Sequence, residues 1–554
     1  MIHVAEVIET RVMVARALPL CLVALACAAP AVHAKGSAKG TTPTRTSAVA
    51  PLVLPGSASA SSVRQTGRTW IVGGEPGTAT SHLAARFGAR PVIAGAGIYV
   101  VAKRDARAFA GALQRAGRLT MAEPDALARK TAMPSDPLTP QQCWLPAVVD
   151  PQLTPPPVTP SSPVLGVIEE QIDLSHPDMQ GIVSTSTGAP PDEHGTAVAG
   201  AAGAPANGAG IVGIWPGMRI LLPVYRGVSC SNITAAVYRA IVRRVSVINM
   251  SYGFDAGDCF IHLVATQRAF ARGIVLVAAG GNEFNEGNPL SRPAADPHIV
   301  TVAALKSDFT SADFSNENGG IDVSAPGAGV LLPVPPQFDT DGVRDGYASI
   351  DGTSFASPIV AGAATWLRAA RPELSAGQVG TVLQESADDL GARGWDQRFG
   401  YGKVNLRDAL ANRVPPSDPL EPNDDVEWVN GKRFGGAHAP IFGRNDRVTS
   451  VTATLDRFED PADVYRVVLP PRSTVRFRMT VQWGDPDLDV YSGGIRTINR
   501  DTGLLGRSVR NGRLPDTVTI VNRSRSGRTV FANSYVLEGA PLDSGYRLEV
   551  RRIR

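Results

Sequence analysis

The chain has 554 residues, too many for one hydrophobic core, and roughly three or four folding units are expected. Its composition is globular, with 43% hydrophobic and 19% charged residues, while 56 glycines and 44 prolines indicate many loops. The formal net charge of +3 is close to balance and no block of Lys and Arg stands out, which argues against nucleic acid or an anionic membrane as a partner.

Residues 1–34 have the pattern of a secretory signal peptide. Arg11 and Arg16 precede an apolar run over residues 17–31, and residues 32–34 supply the small residues of a cleavage site. The alternative is a membrane anchor, but the run is short and rich in alanine. We therefore expect a secreted protein, extracellular or periplasmic, without a stable membrane span.

Three cysteines would remain after signal removal, since Cys21 and Cys27 leave with the signal. An odd number in an oxidising compartment suggests one disulfide and one further thiol, and the irregular spacing argues against a zinc cluster. Pairing of Cys230 with Cys259 is our hypothesis, because each follows a predicted strand and begins a predicted helix, and this leaves Cys143 over.

The region before the main domain divides by composition. Residues 35–65 are mostly Ser, Thr, Ala, Gly and Pro, which predicts a disordered linker. Residues 66–131 predict a small α+β unit, in which Asp105 caps a helix that ends near Arg118. A Pro-rich extension follows over residues 132–163.

Residues 164–412 predict an α/β domain. Short, nearly continuous apolar runs alternate there with helical stretches, which indicates a parallel sheet buried on both faces. The predicted strands are Val164–Ile168, Ile220–Tyr225, Val245–Met250, Ile274–Ala279 and Ile299–Ala304. Open sheets of this kind place their active sites at the carboxyl ends of the strands.

The last part of the chain predicts a different architecture. A linker over residues 413–425 precedes residues 426–554, where apolar and polar residues alternate without helical stretches. This period of two predicts an antiparallel β-sandwich. The alternation is clearest at Val475, Phe477, Met479, Val481, Tyr546, Leu548 and Val550.

Two segments carry the residues for nucleophilic catalysis. Ser354 lies in Gly-Thr-Ser-Phe-Ala-Ser-Pro at the start of a small-residue helix, where backbone N–H groups suit an oxyanion. We expect Pro358 to occupy the first turn of that helix. His194 begins a second small-residue helix and can exchange a proton with a hydroxyl near neutral pH.

With these motifs in this order, residues 136–412 resemble the subtilisin (subtilase) family. The resemblance implies a subtilisin-like, doubly wound, mostly parallel sheet, with Ser354 as the nucleophile and His194 as the general base and acid. Asn282, in Val277–Glu283, would share the oxyanion with the Ser354 N–H group. Residues 400–405 match the segment that closes the domain. The family's substrate-binding edges correspond to Ser251, Tyr252, Gly253, Ala279 and Gly280.

The third triad position departs from the family pattern. Glu169 stands where the family has Asp, Glu170 where it has Ser or Thr, and Gln171 where it has Gly. Glu is longer by roughly 1.3 Å, and ~1 Å of misplacement can cost 10²-fold in rate. A Gln at a Gly position predicts backbone strain. Glu193, directly before His194, predicts a raised pKa for that histidine.

The flanking units also resemble parts of secreted proteases. Residues 122–127 resemble the inhibitory propeptide of subtilases, which implies self-cleavage between Arg129 and Asp136. The C-terminal part is similar to the bacterial pre-peptidase C-terminal domain, through residues 421–424, 463–467 and 487–490. Its acidic residues fit either a calcium site or solvated turns, and solvated turns are the more common interpretation.

Together these features predict a secreted, monomeric serine endopeptidase acting on protein or peptide substrates. Its own propeptide would be an intramolecular inhibitor, and its chemistry would need no cofactor, although structural calcium is typical of the resembled family. Two alternatives stay open. In one, the Glu169 change makes a pseudo-protease that binds without efficient hydrolysis. In the other, the β-sandwich anchors the chain to a polymer or cell surface.

Overall fold

A computed structural model of the chain describes most of its length in two compact units, which include residues 65–126 and 136–554 respectively. The predicted signal peptide, nearly all of the 35–65 linker and the expected self-cleavage region lie outside the described residues. The described residues are 65–93, 95–126, 136–184, 192–223, 225–255, 259–339, 342–416, 418, 420–431, 437–457, 460–498, 502–537 and 543–554.

The N-terminal unit is a four-stranded antiparallel sheet covered by two helices, with strand order β2-β3-β1-β4. Its elements are β1 (Gln65–Gly74), α1 (Thr78–Arg86), β2 (Arg90–Ile93), β3 (Ile98–Ala102), α2 (Lys103–Arg115) and β4 (Leu119–Ala126). Phe109 and Leu113 of α2 are buried against the sheet beside Trp70. The predicted cap was wrong: α2 begins two residues before Asp105, which lies in its first turn.

The second unit begins with an α/β domain. Its elements are α3 (Leu145–Val148), β5 (Val164–Val167), β6 (Val183–Ser184), α4 (Glu193–Gly203), β7 (Arg219–Leu221), α5 (Cys230–Val242), β8 (Val247–Met250), β9 (Phe254–Asp255), α6 (Phe260–Phe270), β10 (Val275–Ala279), β11 (Ser291–Arg292), β12 (Ile299–Leu305), β13 (Val323–Pro326), β14 (Val330–Pro333), β15 (Tyr347–Ile350), α7 (Thr353–Ala370), α8 (Ala376–Glu385) and α9 (Leu406–Ala411). The α/β class predicted from the apolar runs is confirmed, as is the doubly wound, mostly parallel sheet that the resemblance implied.

Among the described residues, seven strands form a parallel sheet in the order β13-β12-β10-β8-β5-β7-β6. Strands β8, β10 and β12 are buried along their whole length, as expected for a sheet with helices on both faces. The strand predicted over Ile220–Tyr225 is shorter, because Pro223 has no N–H group to continue the ladder. Because β10, β8 and β5 are neighbouring parallel strands, their carboxyl ends lie at the same edge of the sheet.

A disulfide joins Cys230 to Cys259, with a Cα–Cα distance of 5.5 Å. Cys230 is the first residue of α5 and Cys259 lies at the N-terminal cap of α6, so the bridge ties the starts of two neighbouring helices. The hypothesis about this pairing is confirmed.

The C-terminal part consists of two four-stranded antiparallel sheets, with orders β16-β23-β18-β21 and β17-β22-β19-β20. Its elements are α10 (Val426–Val429), β16 (Val448–Asp456), β17 (Ala462–Leu469), β18 (Ser473–Trp483), β19 (Asp487–Ser492), β20 (Leu504–Ser508), β21 (Asp516–Asn522), β22 (Arg528–Tyr535) and β23 (Asp543–Arg552). Alternate residues of β18, such as Phe477 and Met479, are buried in a core shared with Val467 and Val530 of the other sheet. None of the helices in the described part of the chain is long and apolar enough to cross a membrane.

Candidate active site

A carboxylate and an imidazole meet at the carboxyl end of β5. Glu169 lies two residues beyond this strand, is 3% exposed, and places Oε2 3.0 Å from Nδ1 of His194. His194 lies in the first turn of α4, where Asp192 caps the helix by accepting from the Gly195 N–H. A Cβ atom at Gly195 would lie 2.2 Å from the Gln171 carbonyl oxygen. Glycine therefore lets the helix approach the Glu169 loop closely enough for contact.

The residues after Glu169 do not disturb this contact. Glu170 turns away and accepts a hydrogen bond from the Gly227 N–H. Gln171 is buried, and it is not among the non-glycine residues of the described chain that have positive φ. The strain expected for Gln at this position is thus absent, because the backbone does not enter the left-handed region.

Ser354 is the second residue of α7, which begins after Gly352. Its side chain is partly exposed while Thr353 and Phe355 on either side are buried. The Ser354 hydroxyl donates a 3.4 Å hydrogen bond to the Ser251 carbonyl. The ring of Phe355 lies 5.6 Å from that of His194, centroid to centroid, so the structure brings the predicted serine and histidine to the same edge.

Pro358 has a different place from the one expected. It is the sixth residue of α7 and lies in the second turn, where an ordinary residue would donate to the Ser354 carbonyl. Proline cannot donate, and the hydroxyl of Ser251 donates to that carbonyl instead, at 2.8 Å. Asn249 of β8 donates to the Ser251 hydroxyl, and Ser357 donates to Asn249. This buried chain of hydrogen bonds, which no sequence motif indicated, attaches the backbone of Ser354 to the sheet.

Asn282 lies in the loop after β10 and is exposed. Its Oδ1 accepts from both the N–H and the hydroxyl of Thr353, at 2.9 Å each. With Oδ1 occupied, Nδ2 is the donor that remains for an oxyanion. Gly281 has φ of +103°, and the buried Asn316 supports the loop by donating to the Gly280 carbonyl. Thr353 and Asn316 were not anticipated, because the contacts that reveal them span 71 and 36 residues of sequence.

The predicted substrate-binding residues differ in burial and in the groups that they contact. Ser251 is buried beneath Ser354, and the Tyr252 hydroxyl contacts Nε2 of His262 at 2.9 Å, away from the serine. Gly253 is exposed, whereas Ala279 and Gly280 are buried at the end of β10. Their backbones can still face a substrate, and their binding roles stay predictions.

The electrostatics of the pair favour a proton held between its two members. Burial lowers the pKa of His194, but the charge and hydrogen bond of Glu169, together with Asp192 and Glu193, raise it to about 9. Burial leaves the pKa of the Glu169 carboxyl above its usual value despite the histidine. Burial likewise raises the pKa of Glu193. The negative charge of Glu193 is one of the causes that raise the pKa of His194, which is the direction predicted.

Metal-ligating atoms come together here as well, from Glu169, Asp192 and His194, within 4.8 Å of one another. Two of these side chains bond each other and the third caps α4, so all three already have partners. The described residues contain two further groups near the linker to the β-sandwich.

Part of the chain is similar in sequence to known proteins. Residues 161–402 match the Subtilase family (Peptidase S8). The chain is 32% identical to subtilisin DY of Bacillus licheniformis over 257 residues, covering 44% of this chain and 89% of that protein. A probable subtilase-type serine protease of Deinococcus radiodurans is 28% identical over 406 residues, which span 64% of this chain but only 54% of that protein.

Fervidolysin of Fervidobacterium pennivorans is 30% identical over 294 residues, covering 47% of this chain and 42% of that protein. Its crystal structure, described as that of a keratinolytic enzyme related to subtilisin, aligns with a TM-score of 0.46 and 18% identity. The alignment covers 84% of this chain and 87% of that structure. The chain thus spans about half the length of two of these relatives.

Proposed function

Because the chain belongs to the subtilase family, we propose that it is a secreted serine endopeptidase that cleaves protein or peptide substrates through an acyl-enzyme. The observation that carries this proposal is the 3.0 Å contact between Glu169 and His194 at the edge where Ser354 lies in the first turn of α7. The minor extracellular protease Epr of Bacillus subtilis, which is 33% identical to this chain over 218 residues, supports a secreted location.

In the first step, the Ser354 hydroxyl attacks the scissile carbonyl carbon while Nε2 of His194 accepts the hydroxyl proton. The carbonyl oxygen becomes an oxyanion, to which the Ser354 N–H and Nδ2 of Asn282 donate. The carbon–nitrogen bond then breaks, and His194 returns the proton to the leaving amine. A water molecule repeats the sequence on the acyl-enzyme, with His194 as base, and releases the carboxylic acid.

Glu169 would hold His194 in the tautomer that donates from Nδ1, and it would stabilise the imidazolium that forms during attack. The extra methylene of Glu does not prevent the contact, since Oε2 reaches hydrogen-bond distance. This supports an active enzyme with Glu in the place of Asp. One observation favours the alternative of a pseudo-protease: the second oxygen, Oε1, is buried without a hydrogen-bond partner.

We further propose that residues 66–131 act as an inhibitory propeptide removed by self-cleavage before Asp136. The test is expression of the full precursor beside Ser354→Ala and the surface control Ser349→Ala, following chain mass over time. We expect the wild type and Ser349→Ala to lose roughly the first 130 residues, since they keep the nucleophile. The Ser354→Ala chain should keep them.

Two other outcomes are informative. If all three chains keep the N-terminal unit while folded, the site is silent and the pseudo-protease alternative replaces the proposal. If Ser354→Ala also loses it at the same rate, another protease performs the cleavage, and self-processing is wrong.

A further inference from the structure

The outer side of one sheet of the β-sandwich carries a row of arginines. We call it the arginine face: it is the solvent side of the sheet β16-β23-β18-β21, whose other side packs in the core of the sandwich. Successive side chains of a strand point to opposite sides, and the even-numbered residues of β18 and the odd-numbered residues of β23 point outwards here. The arginines of this face are Arg476, Arg478, Arg547 and Arg551.

The positive charge of this face is not neutralised within the sheet. Arg476 lies directly opposite Arg551 in the strand register, and like charges in that position destabilise a sheet. Nε of Arg476 is buried without a hydrogen-bond partner. Glu549 is the single acid among residues 474–482 of β18 and residues 545–551 of β23. Four arginines therefore face one carboxylate, and three positive charges remain for a partner.

The contact between Arg551 and Glu549 shows which anion this face accepts. Nε and Nη2 of Arg551 donate to the two oxygens of Glu549, at 2.9 and 3.2 Å, in the two-pronged geometry that a guanidinium forms with a carboxylate. These hydrogen bonds and the charge of Arg551, with smaller contributions from Arg476 and Arg547, hold the pKa of the Glu549 carboxyl below its usual value. A carboxylate is thus stabilised on this face.

One end of the row carries an exposed aromatic ring. Trp483 is 37% exposed and is paired with Gly545, after an irregularity in the register of β18 and β23. A Cβ atom at Gly545 would lie 2.4, 2.5 and 2.5 Å from three adjacent carbons of the Trp483 ring. Because these distances are nearly equal, the ring lies flat over the glycine and presents its opposite face to the solvent. Such an indole face can stack on the C–H groups of a sugar ring.

The ring and the arginines lie along one line that follows the strands. Thr480 is paired with Arg547, and Arg476 with Arg551. The six residues from Gly545 to Arg551 span roughly 20 Å, at about 3.4 Å per residue. A flat strip of this length fits an extended polymer better than a small ligand. Hydroxyl groups border the strip on both sides, from Ser450, Thr452, Thr517 and Thr519.

We propose that the arginine face binds an acidic polysaccharide whose sugar rings carry carboxylate groups. One sugar ring stacks on Trp483, and the carboxylates of the rings that follow pair with the arginines, which removes the repulsion between Arg476 and Arg551. Proteins that bind single-stranded nucleic acid also combine positive charge with stacking, but they use grooves with several aromatic rings. This face is flat, and Trp483 is the one aromatic residue among its outward-facing described residues. The proposal gives a chemistry to the alternative in which the β-sandwich anchors the chain to a polymer.

The test uses the full-length Ser354→Ala chain as the parent, so that binding is measured independently of the proposed proteolysis. The probe is polygalacturonate, and its methyl ester keeps the sugar rings but removes their charge. We expect polygalacturonate to bind in a calorimetric titration and the methyl ester to bind at least about tenfold more weakly. The affinity for polygalacturonate should also fall as NaCl is added, because salt screens exposed charges.

Two arginines of the face are then replaced together. Arg476→Gln with Arg478→Gln should weaken polygalacturonate binding at least about tenfold, since two charged donors are lost. The matched control is Arg523→Gln with Arg525→Gln, which removes the same charge from the exposed turn after β21. This control should bind like the parent.

The aromatic ring is tested in the same way. Trp483→Ala should weaken polygalacturonate binding about fivefold, because the stacking surface is lost. Phe338→Ala removes a ring of the α/β domain that is also 37% exposed, and this control should bind like the parent. Equal affinity of Trp483→Ala and the parent would overturn the stacking role of the ring.

Absence of polygalacturonate binding, or equal binding of its methyl ester, overturns the proposal. Equal affinity of the paired arginine variant and its control also overturns it. Tighter binding of dextran sulfate or of oligothymidylate than of polygalacturonate overturns the choice of a carboxylate polysaccharide. Should a variant fail to fold, hydrogen exchange of the parent decides the question: polygalacturonate should slow exchange in β18 and β23, and unchanged exchange there refutes the site.

Discussion

Replacing Glu169 by Asp, the residue that the family usually has, should lower activity rather than raise it. Shortening the side chain by roughly 1.3 Å would move the carboxylate oxygen from 3.0 Å to about 4.3 Å from Nδ1 of His194, beyond hydrogen-bond reach. Helix α4 cannot follow, because Gly195 already lies against the Gln171 carbonyl. Since ~1 Å of misplacement can cost 10²-fold, we expect kcat/KM to fall about 10- to 100-fold.

The assay is hydrolysis of a chromogenic peptide by processed enzyme, with rates divided by the concentration of titrated active sites. Glu169→Gln should fall further, about 10⁴-fold, since the amide cannot stabilise the imidazolium. Glu170→Asp is the matched control, because Glu170 bonds Gly227 and not the histidine. A Glu169→Asp enzyme as fast as the wild type, or faster, would refute the reasoning and show that the loop adjusts to the shorter side chain.

Three further predictions concern the same edge of the sheet. The pKa of His194 is raised to about 9, so below that pH the imidazole is protonated and cannot accept a proton, and kcat/KM should rise with pH up to about 9. Glu193→Gln removes a charge that raises this pKa. The acid limb of its pH profile should therefore move to lower pH. Asn282→Ala should lower kcat about 10²- to 10³-fold with little change in KM, measured by steady-state kinetics. Ser251→Ala leaves the Ser354 carbonyl without its donor and should cost about 1–3 kcal/mol of unfolding free energy in denaturant titrations, an unchanged stability being the contrary result.

Local sequence patterns predicted the fold well, because a strand that is buried on both faces has a nearly continuous run of apolar residues. The apolar runs that end at Ile168 and Met250 became neighbouring parallel strands, and their ends carry Glu169 and Ser251. Of the two adjacent acids, the register also selected the one that contacts His194. The prediction for Pro358 was wrong, because the motif alone does not show that α7 begins at Thr353, which puts the proline in the second turn.

The contacts of His298 were invisible for the same reason. Its partners, Glu421 and Asp424, lie more than 120 residues later in the chain, and no spacing rule connects a loop histidine with a linker acid. Gly195 is a related case, since its need for a missing side chain arises from the Gln171 carbonyl and not from its own helix. Sequence patterns show what one helix or strand requires, whereas His298 and Gly195 are each required by a contact between two separate segments of the chain.

The proline inside α7 has a consequence for protein engineering. The carbonyl of Ser354 accepts a hydrogen bond from the hydroxyl of Ser251, just after β8, and Pro358 of its own helix cannot donate to it. The nucleophile therefore cannot be moved to another protein with its helix alone. A graft of residues 352–370 into another scaffold would carry the serine but leave its carbonyl unsatisfied. A transplant of this site would also have to include Asn249 at the end of β8 and Ser251 just after it.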